Sequence, residues 1–246
     1  MQYAFGAGRA YAIPLGIAVP TPVQFRDLQS FSLDCKYENK TLYGSSTFPL
    51  AAVRGKGTAE VKLKNALVGQ AAFSSLLIGT PAAAGMVMIA GAELLLPASN
   101  TASAANAATW VEDLGLTYAN GMSLTRVVSA PTAGQYAVAA GVYTFAAGDV
   151  AAQAGVYASY RYTVPNTGYT STVANTEMGQ SVQFALRYFS QSNVQGALKS
   201  VVISLNACTM TDWKFDSKND DFAVPDMSIS AFADAGGIVG TISFSE

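Results

Sequence analysis

Histidine is absent from this chain, and charge is scarce, with 14 Lys and Arg and 16 Asp and Glu among 246 residues. Imidazole is the side chain that most readily exchanges a proton near neutral pH, and it is the commonest metal ligand. Without it, Ser-His-Asp and Cys-His catalysis and the usual zinc centres are excluded. A basic excess is also missing, since the formal net charge is −2 and the pI is near 5.2. Proteins whose main work is gripping nucleic acid carry such an excess, because their affinity comes from neutralising phosphates. Two cysteines, Cys35 and Cys208, are too few for a disulfide scaffold. Cys35 falls on the apolar side of an alternating stretch, which predicts a buried free thiol. No apolar run reaches the roughly 20 residues of a spanning helix. The longest, between Pro81 and Pro97, is short and contains Glu93. It predicts a buried strand pair, or a surface packed under a neighbouring subunit. The start of the chain has no basic segment and no clean cleavage site, so no signal peptide is expected. The expectation is a protein made in a cytoplasm and soluble there until it assembles, with no membrane partner.

Catalytic signatures are missing as well. The stretch Arg54–Thr58 (RGKGT) lacks the upstream glycine and following helix of a phosphate-binding loop. Neither a Gly-x-Ser-x-Gly elbow nor a Cys-x-x-Cys pair occurs. Two carboxylates can converge from anywhere in a fold, so a glycosidase-like pair stays open at this point. With acids this sparse, no enzyme activity, cofactor or metal is expected. The acidic run Asp212, Asp216, Asp220, Asp221 and Asp226 is the best small-ligand candidate. It lacks the glycine and glutamate of an EF-hand, and Lys214 and Lys218 lie within it, which favours a solvated turn between strands.

What is present is Ala, Gly, Ser, Thr, Val and Tyr, written largely in two-residue alternation. Half the residues are hydrophobic and mean hydropathy is +0.26, so a sizeable core is available and disorder is not expected. The Gly- and Pro-punctuated first thirty residues predict an extended arm with little regular structure. From Phe31 to Glu38, Phe31, Leu33, Cys35 and Tyr37 alternate with Ser32, Asp34, Lys36 and Glu38, the mark of a strand with one buried face. From Val53 to Lys64, Val53, Ala59, Val61 and Leu63 are expected inward. Arg54, Lys56, Thr58, Glu60, Lys62 and Lys64 are expected outward, with Gly55 and Gly57 allowing a bend.

One helix is expected within 66–78, where Val68, Ala72, Phe73, Leu76 and Leu77 recur at helical spacing before Gly79-Thr80-Pro81. The segment 97–109 has neither aromatic nor charge and reads as a linker or long loop. Residues 110–164 read as a small inserted β cassette, rich in tyrosine and closed by Pro165–Gly168. Five strands in the last third, without room for helices, favour an antiparallel sandwich or barrel. The domain reading is therefore 1–109, an arm and the first half of a β domain; 110–164, the cassette; and 165–246, the second half. The fold class is mainly β, an antiparallel β-sandwich or half-open barrel with one flanking α-helix.

Several segments together resemble the major tail (tail tube) proteins of tailed bacteriophages. They are the N-terminal MQYAFGAG, Pro20–Phe25 (PTPVQF), Leu42–Gly44 followed by Phe48-Pro49, and Arg54–Gly57 ahead of the helix. Trp110–Gly115 (WVEDLG), Gly134–Tyr136, Gly141–Phe145 (GVYTF), Leu205–Cys208, Asp221–Asp226 and the closing ISFSE continue the series. The resemblance covers most of the chain, and the order of many weak motifs carries it. It implies a virion structural protein whose six copies form a ring, with a hairpin from each contributing to a continuous inner barrel. Such rings stack around a tape-measure protein, meet a tail terminator and tail-tip or baseplate proteins, and later let double-stranded DNA pass without specific binding. Closing sheet edges against neighbours fits a ring, and stacked rings make a filament. On this basis Ser32, Asp34, Lys36, Glu38, Arg54, Lys56, Glu60, Lys62 and Lys64 are expected to line the bore or meet the adjacent ring. Other readings are a capsid decoration or head-completion protein, a secreted adhesin or surface-layer module, and a carboxylate-based hydrolase.

Overall fold

The computed structural model describes residues 6–45, 47–66, 69, 72–149, 155–194 and 197–245. In chain order the strands are β1 (Arg9–Pro14), β2 (Val23–Phe25), β3 (Leu28–Tyr43), β4 (Pro49–Asn65), β5 (Ala83–Leu95), β6 (Thr101–Ser103), β7 (Trp110–Tyr118) and β8 (Thr125–Arg126). They continue with β9 (Gln135–Ala139), β10 (Val142–Phe145), β11 (Val156–Thr170), β12 (Phe184–Val194), β13 (Ala197–Lys214), β14 (Asp226–Phe232) and β15 (Gly240–Phe244). They fall into two compact units, Met1–Ala82 with Ser171–Glu246, and Ala83–Thr170.

The first unit is an antiparallel sheet in the order β2-β1-β12-β13-β14-β4-β3, with β15 also paired to β13. Its strands present small and branched apolar residues to one face. Ala10, Ala12, Phe25, Val61, Leu63, Phe184, Leu186, Cys208 and Ile229 are buried there almost completely. The sheet curls on itself. Strand β2 at one end of the order leads into β3 at the other through Arg26-Asp27, with Asp27 at φ 53° and its carbonyl accepting from the Ala66 N–H at 3.0 Å. Among the described residues the two end strands do not ladder, so the barrel they curl toward stays open.

The helix expected over 66–78 is described as a short helical segment, Phe73–Ile78; residues 67, 68, 70 and 71 lie outside the described residues. It is a wide turn in which the Gly79 N–H donates to the Ser74 carbonyl at 2.8 Å. Leu76 plugs it into the core, and the Phe73 ring sits 4.7 Å from Trp213. The expected N-terminal arm is corrected. Arg9–Pro14 pairs along its length with β12, because Ala10 and Ala12 alternate with Arg9, Tyr11 and Ile13 and fit flat against the core. Residues 1–5 lie outside the described residues.

In the second unit, the sheet β5-β11-β7 and the sheet β6-β10-β9-β8 share one core of Leu116, Tyr136, Tyr143, Phe145, Val156 and Tyr160. All its pairs are antiparallel except the two-residue pairing of β8 with β9. Buried tyrosine hydroxyls are costly unless hydrogen-bonded, and here carboxylates receive them. Tyr136 and Tyr143 donate to Asp113 at 2.6 and 3.2 Å, Tyr118 donates to Asp149 at 2.9 Å, and Tyr160 donates to Glu93.

This unit begins earlier than the cassette expected at 110. Strand β5 ladders with β11 almost throughout, and Thr101–Ser103 is a strand on β10 with Ala102 and Ala104 buried. The segment 97–109 is therefore packed structure, not a linker. Pro165–Gly168 does not close the unit; β11 runs through it, with a register slip between Val164 and Tyr169. Among the described residues no helix is long and apolar enough to cross a membrane.

Candidate assembly surface

Strands β3 and β4 form one long ribbon, laddered from Leu28 and Asn65 outward to Tyr43 and Pro49. Among the described residues, only Ala59–Lys64 of β4 has a second partner, β14. Beyond that point no further strand is laddered to the ribbon among the described residues, and both of its faces meet solvent. Phe48 is 80% exposed, Leu50 69%, Leu42 64%, Val53 63%, Tyr43 60% and Tyr37 58%. An isolated two-stranded ribbon is marginal in water, and its free edges are templates for another chain. Exposed apolar side chains grouped in this way mark an interaction surface.

At its root, the ribbon's outward face is polar and continuous with β14 and β13. Cross-strand partners set out rows: Ser30, Lys64, Asp226 and Lys214 in one, Ser32, Lys62, Ser228 and Asp212 in the next, Asp34, Glu60 and Ser230 in a third. Lys64 pairs with Asp226 at 3.3 Å and Lys36 with Asp34 at 2.5 Å. The hydrogen bond and charge of Asp34 hold the Lys36 ammonium above the usual lysine range. Acids and bases alternate, so the face is charged but close to balanced. Such a wall offers no stretch of uniform positive potential to phosphate.

Ser32, Asp34, Lys36, Glu38, Lys56, Glu60, Lys62 and Lys64 are all exposed, as is Arg54. Arg54 is not on the face the alternation assigned to it. The register slips between Tyr37 and Asn39, where β4 supplies one extra residue around Gly55 to Gly57. A bulge of this kind turns the side chains beyond it to the other face. Arg54 thereby joins Tyr37, its guanidinium carbon 4.3 Å from the ring centroid. Val53, expected inward, lies beyond the same bulge and is exposed; Cys35 is exposed because the core ends at Leu33 and Ala59.

A second open edge lies beside the ribbon. Strand β15 continues along β13 in the lane that β14 occupies further down, after a loop pinned by Asp234. The Asp234 carboxylate accepts from the Gly236 and Ile238 N–H groups and from the Asn206 amide, which hold it below the usual carboxylate range, the Ile238 bond most strongly. Among the described residues the far side of β15 carries no strand, and Ile242 and Phe244 are half exposed or more. Cys35, Tyr37, Gly57, Phe232 and Val239 line the groove where the ribbon leaves the sheet.

The acidic run does not converge. Asp212 and Asp226 stand on strands, Lys214 pairs with Asp216 at 2.9 Å, and Lys218 and Asp221 close a small turn. Among the described residues no group of three acid or sulfur side chains has a metal-binding arrangement. Leu42–Gly44 and Phe48-Pro49 enter the sequence reading only through the resemblance, and the exposure of Leu42, Tyr43, Phe48 and Leu50 is not foreseen there, because no helix or strand periodicity marks a tip. Their signal was the absence of charge between Lys40 and Arg54. No protein-family model matches the chain, and no curated protein matches it.

Proposed function

We propose that this chain is a structural virion protein, the repeating subunit of a tailed-phage tail tube, assembled in the host cytoplasm as stacked six-membered rings around a conduit for DNA. The observation that carries the proposal is the β3–β4 ribbon, whose outer half has open edges and solvent on both faces. A segment so costly to leave in water is built to be covered, and a second copy with matching open edges can cover it. The balanced charge of the outward face supports a bore through which DNA slides without being held. In this role the ribbon and β15 edges of neighbouring copies extend one sheet into the next, and Ser32, Asp34, Lys36, Glu38, Lys56, Glu60, Lys62 and Lys64 face the bore or the adjacent ring. The partners are further copies of the chain, a tape-measure protein, a terminator and tail-tip proteins, and the role needs no catalysis.

Electron microscopy of the purified chain at high concentration tests the proposal. Hollow cylinders of sixfold rings are expected. Particles that stay single at every concentration would sink it, and closed trimers would point to a shell decoration protein.

A further inference from the structure

We propose that the uncharged tip of the β3–β4 ribbon of one copy seats in the groove beside the helical segment of a second copy. The contact rests on the self-assembly proposed above and names its receptor site. From Thr41 to Val53 the chain carries no charged side chain, and Leu42, Tyr43, Phe48 and Leu50 are 60 to 80% exposed. The groove lies between Phe73–Ile78 and the strandless stretch 173–182, with a volume of about 660 Å³. Phe73, Leu77, Ile78, Val173 and Val182 give it an apolar lining, and none of its lining residues is charged.

The match is one of chemistry. The groove lining adds only the neutral Thr80, Thr176, Gln180 and Ser181 to its apolar residues, and Glu177 of the same stretch is not among them. Neither lining nor tip therefore loses an ion's hydration when they meet, whereas the outer sheet face would impose that loss on any apolar tip. Aromatic residues bury about 150–250 Å² each. Tyr43 and Phe48, with the smaller Leu42 and Leu50 added, therefore supply on the order of 500 Å², the larger part of the roughly 800 Å² per partner in a standard specific interface. Within one chain the tip is exposed, so it does not occupy its own groove. A knob and a hole at different places on one molecule make a heterologous contact, which propagates from copy to copy until it closes a ring or runs on as a filament.

The test uses full-length chain with Cys35→Ser, which leaves only the buried Cys208 thiol. Copies carrying Thr47→Cys are assembled with copies carrying Thr176→Cys and treated with a short bis-maleimide. A dimer band at least tenfold stronger in the mixture than with either variant alone is expected. Separately, Phe48→Asp should raise the concentration needed for assembly at least tenfold, while circular dichroism confirms the fold. If assemblies form without the mixed cross-link and Phe48→Asp assembles like the parent, the groove contact is wrong and the tube proposal stands. If the cross-link forms in particles that are not tubes, the contact stands and the tube proposal fails. A chain that never associates overturns both.

Discussion

The Phe31 ring lies on the Tyr188 ring, centroids 3.8 Å apart and planes 11° from parallel. Phe31 is on β3, at one end of the sheet order, and Tyr188 is on β12, near the other. This stack, with the short Arg26-Asp27 connection, holds the curl of the open barrel and so sets the direction in which the ribbon leaves it. Phe31→Ala removes an aromatic pair and part of the core beneath it, at an expected cost of about 2–3 kcal/mol. Urea unfolding followed through Trp213, in a Trp110→Phe background, should show a lower midpoint with an unchanged slope. An unshifted midpoint would mean that the curl is held elsewhere.

Asp113 anchors the second unit. Its side chain is 3% exposed and accepts from Tyr136, Tyr143 and the Gly115 N–H, with Arg126 at 3.8 Å. Asp113→Ala strands two buried hydroxyls, and each orphaned polar group costs about 1–3 kcal/mol. A loss of about 3 kcal/mol is expected, read through Trp110 in a Trp213→Phe background. Asp113→Asn keeps an acceptor and should lose less; equal losses would mean that the hydroxyls do not depend on this side chain.

The same tyrosines make the unit alkali-sensitive. Burial is the largest cause raising Tyr118, Tyr136, Tyr143 and Tyr160 above the ordinary tyrosine value, and their carboxylate partners add to it. A group whose folded pKa is raised contributes stability that is complete below its unfolded pKa, about 10 for tyrosine. That contribution is lost as pH climbs through the folded value. Absorbance at 295 nm should show at least four of the twelve tyrosines ionising late, together with unfolding of this unit. A single wave of all twelve near pH 10 would contradict the buried pairs.

The cysteines should differ sharply. Cys35 is exposed on the ribbon, whereas Cys208 is fully buried, and burial pushes its thiol up to about 11. Thiolate is the reactive form, so a disulfide reagent should take up one equivalent per native chain and a second only after denaturation. Two rapid equivalents would place β13 outside the core.

Much of the strand pattern was legible because alternation reports burial directly. Phe31 and Leu33 on β3, and Val61 and Leu63 on β4, point where their spacing says. The same rule misplaced Cys35 and Tyr37, since alternation continues past the point where the core stops. Val53 and Arg54 differ for another reason: a one-residue bulge is invisible in composition and reverses every side chain beyond it. Alanine hid the rest. Ala10, Ala12, Ala102 and Ala104 are buried strand or loop positions, yet a small residue looks the same in a linker. The carboxylate anchors were hidden by distance along the chain, Glu93 lying 67 residues from Tyr160. A lone acid inside an apolar run was nevertheless a signal that something buried needed it.

The second unit enters at Ala83 and leaves at Thr170, and these two residues are opposite each other on β5 and β11. Directly opposed residues of paired strands are about 5 Å apart, a gap that a two-residue turn closes. Excising Ala83–Thr170 and joining the ends through Asn-Gly should leave the thermal transition of the remaining sheet within a few degrees of the parent's. Because its two ends meet, the unit can be lost or replaced without spreading the host chain apart.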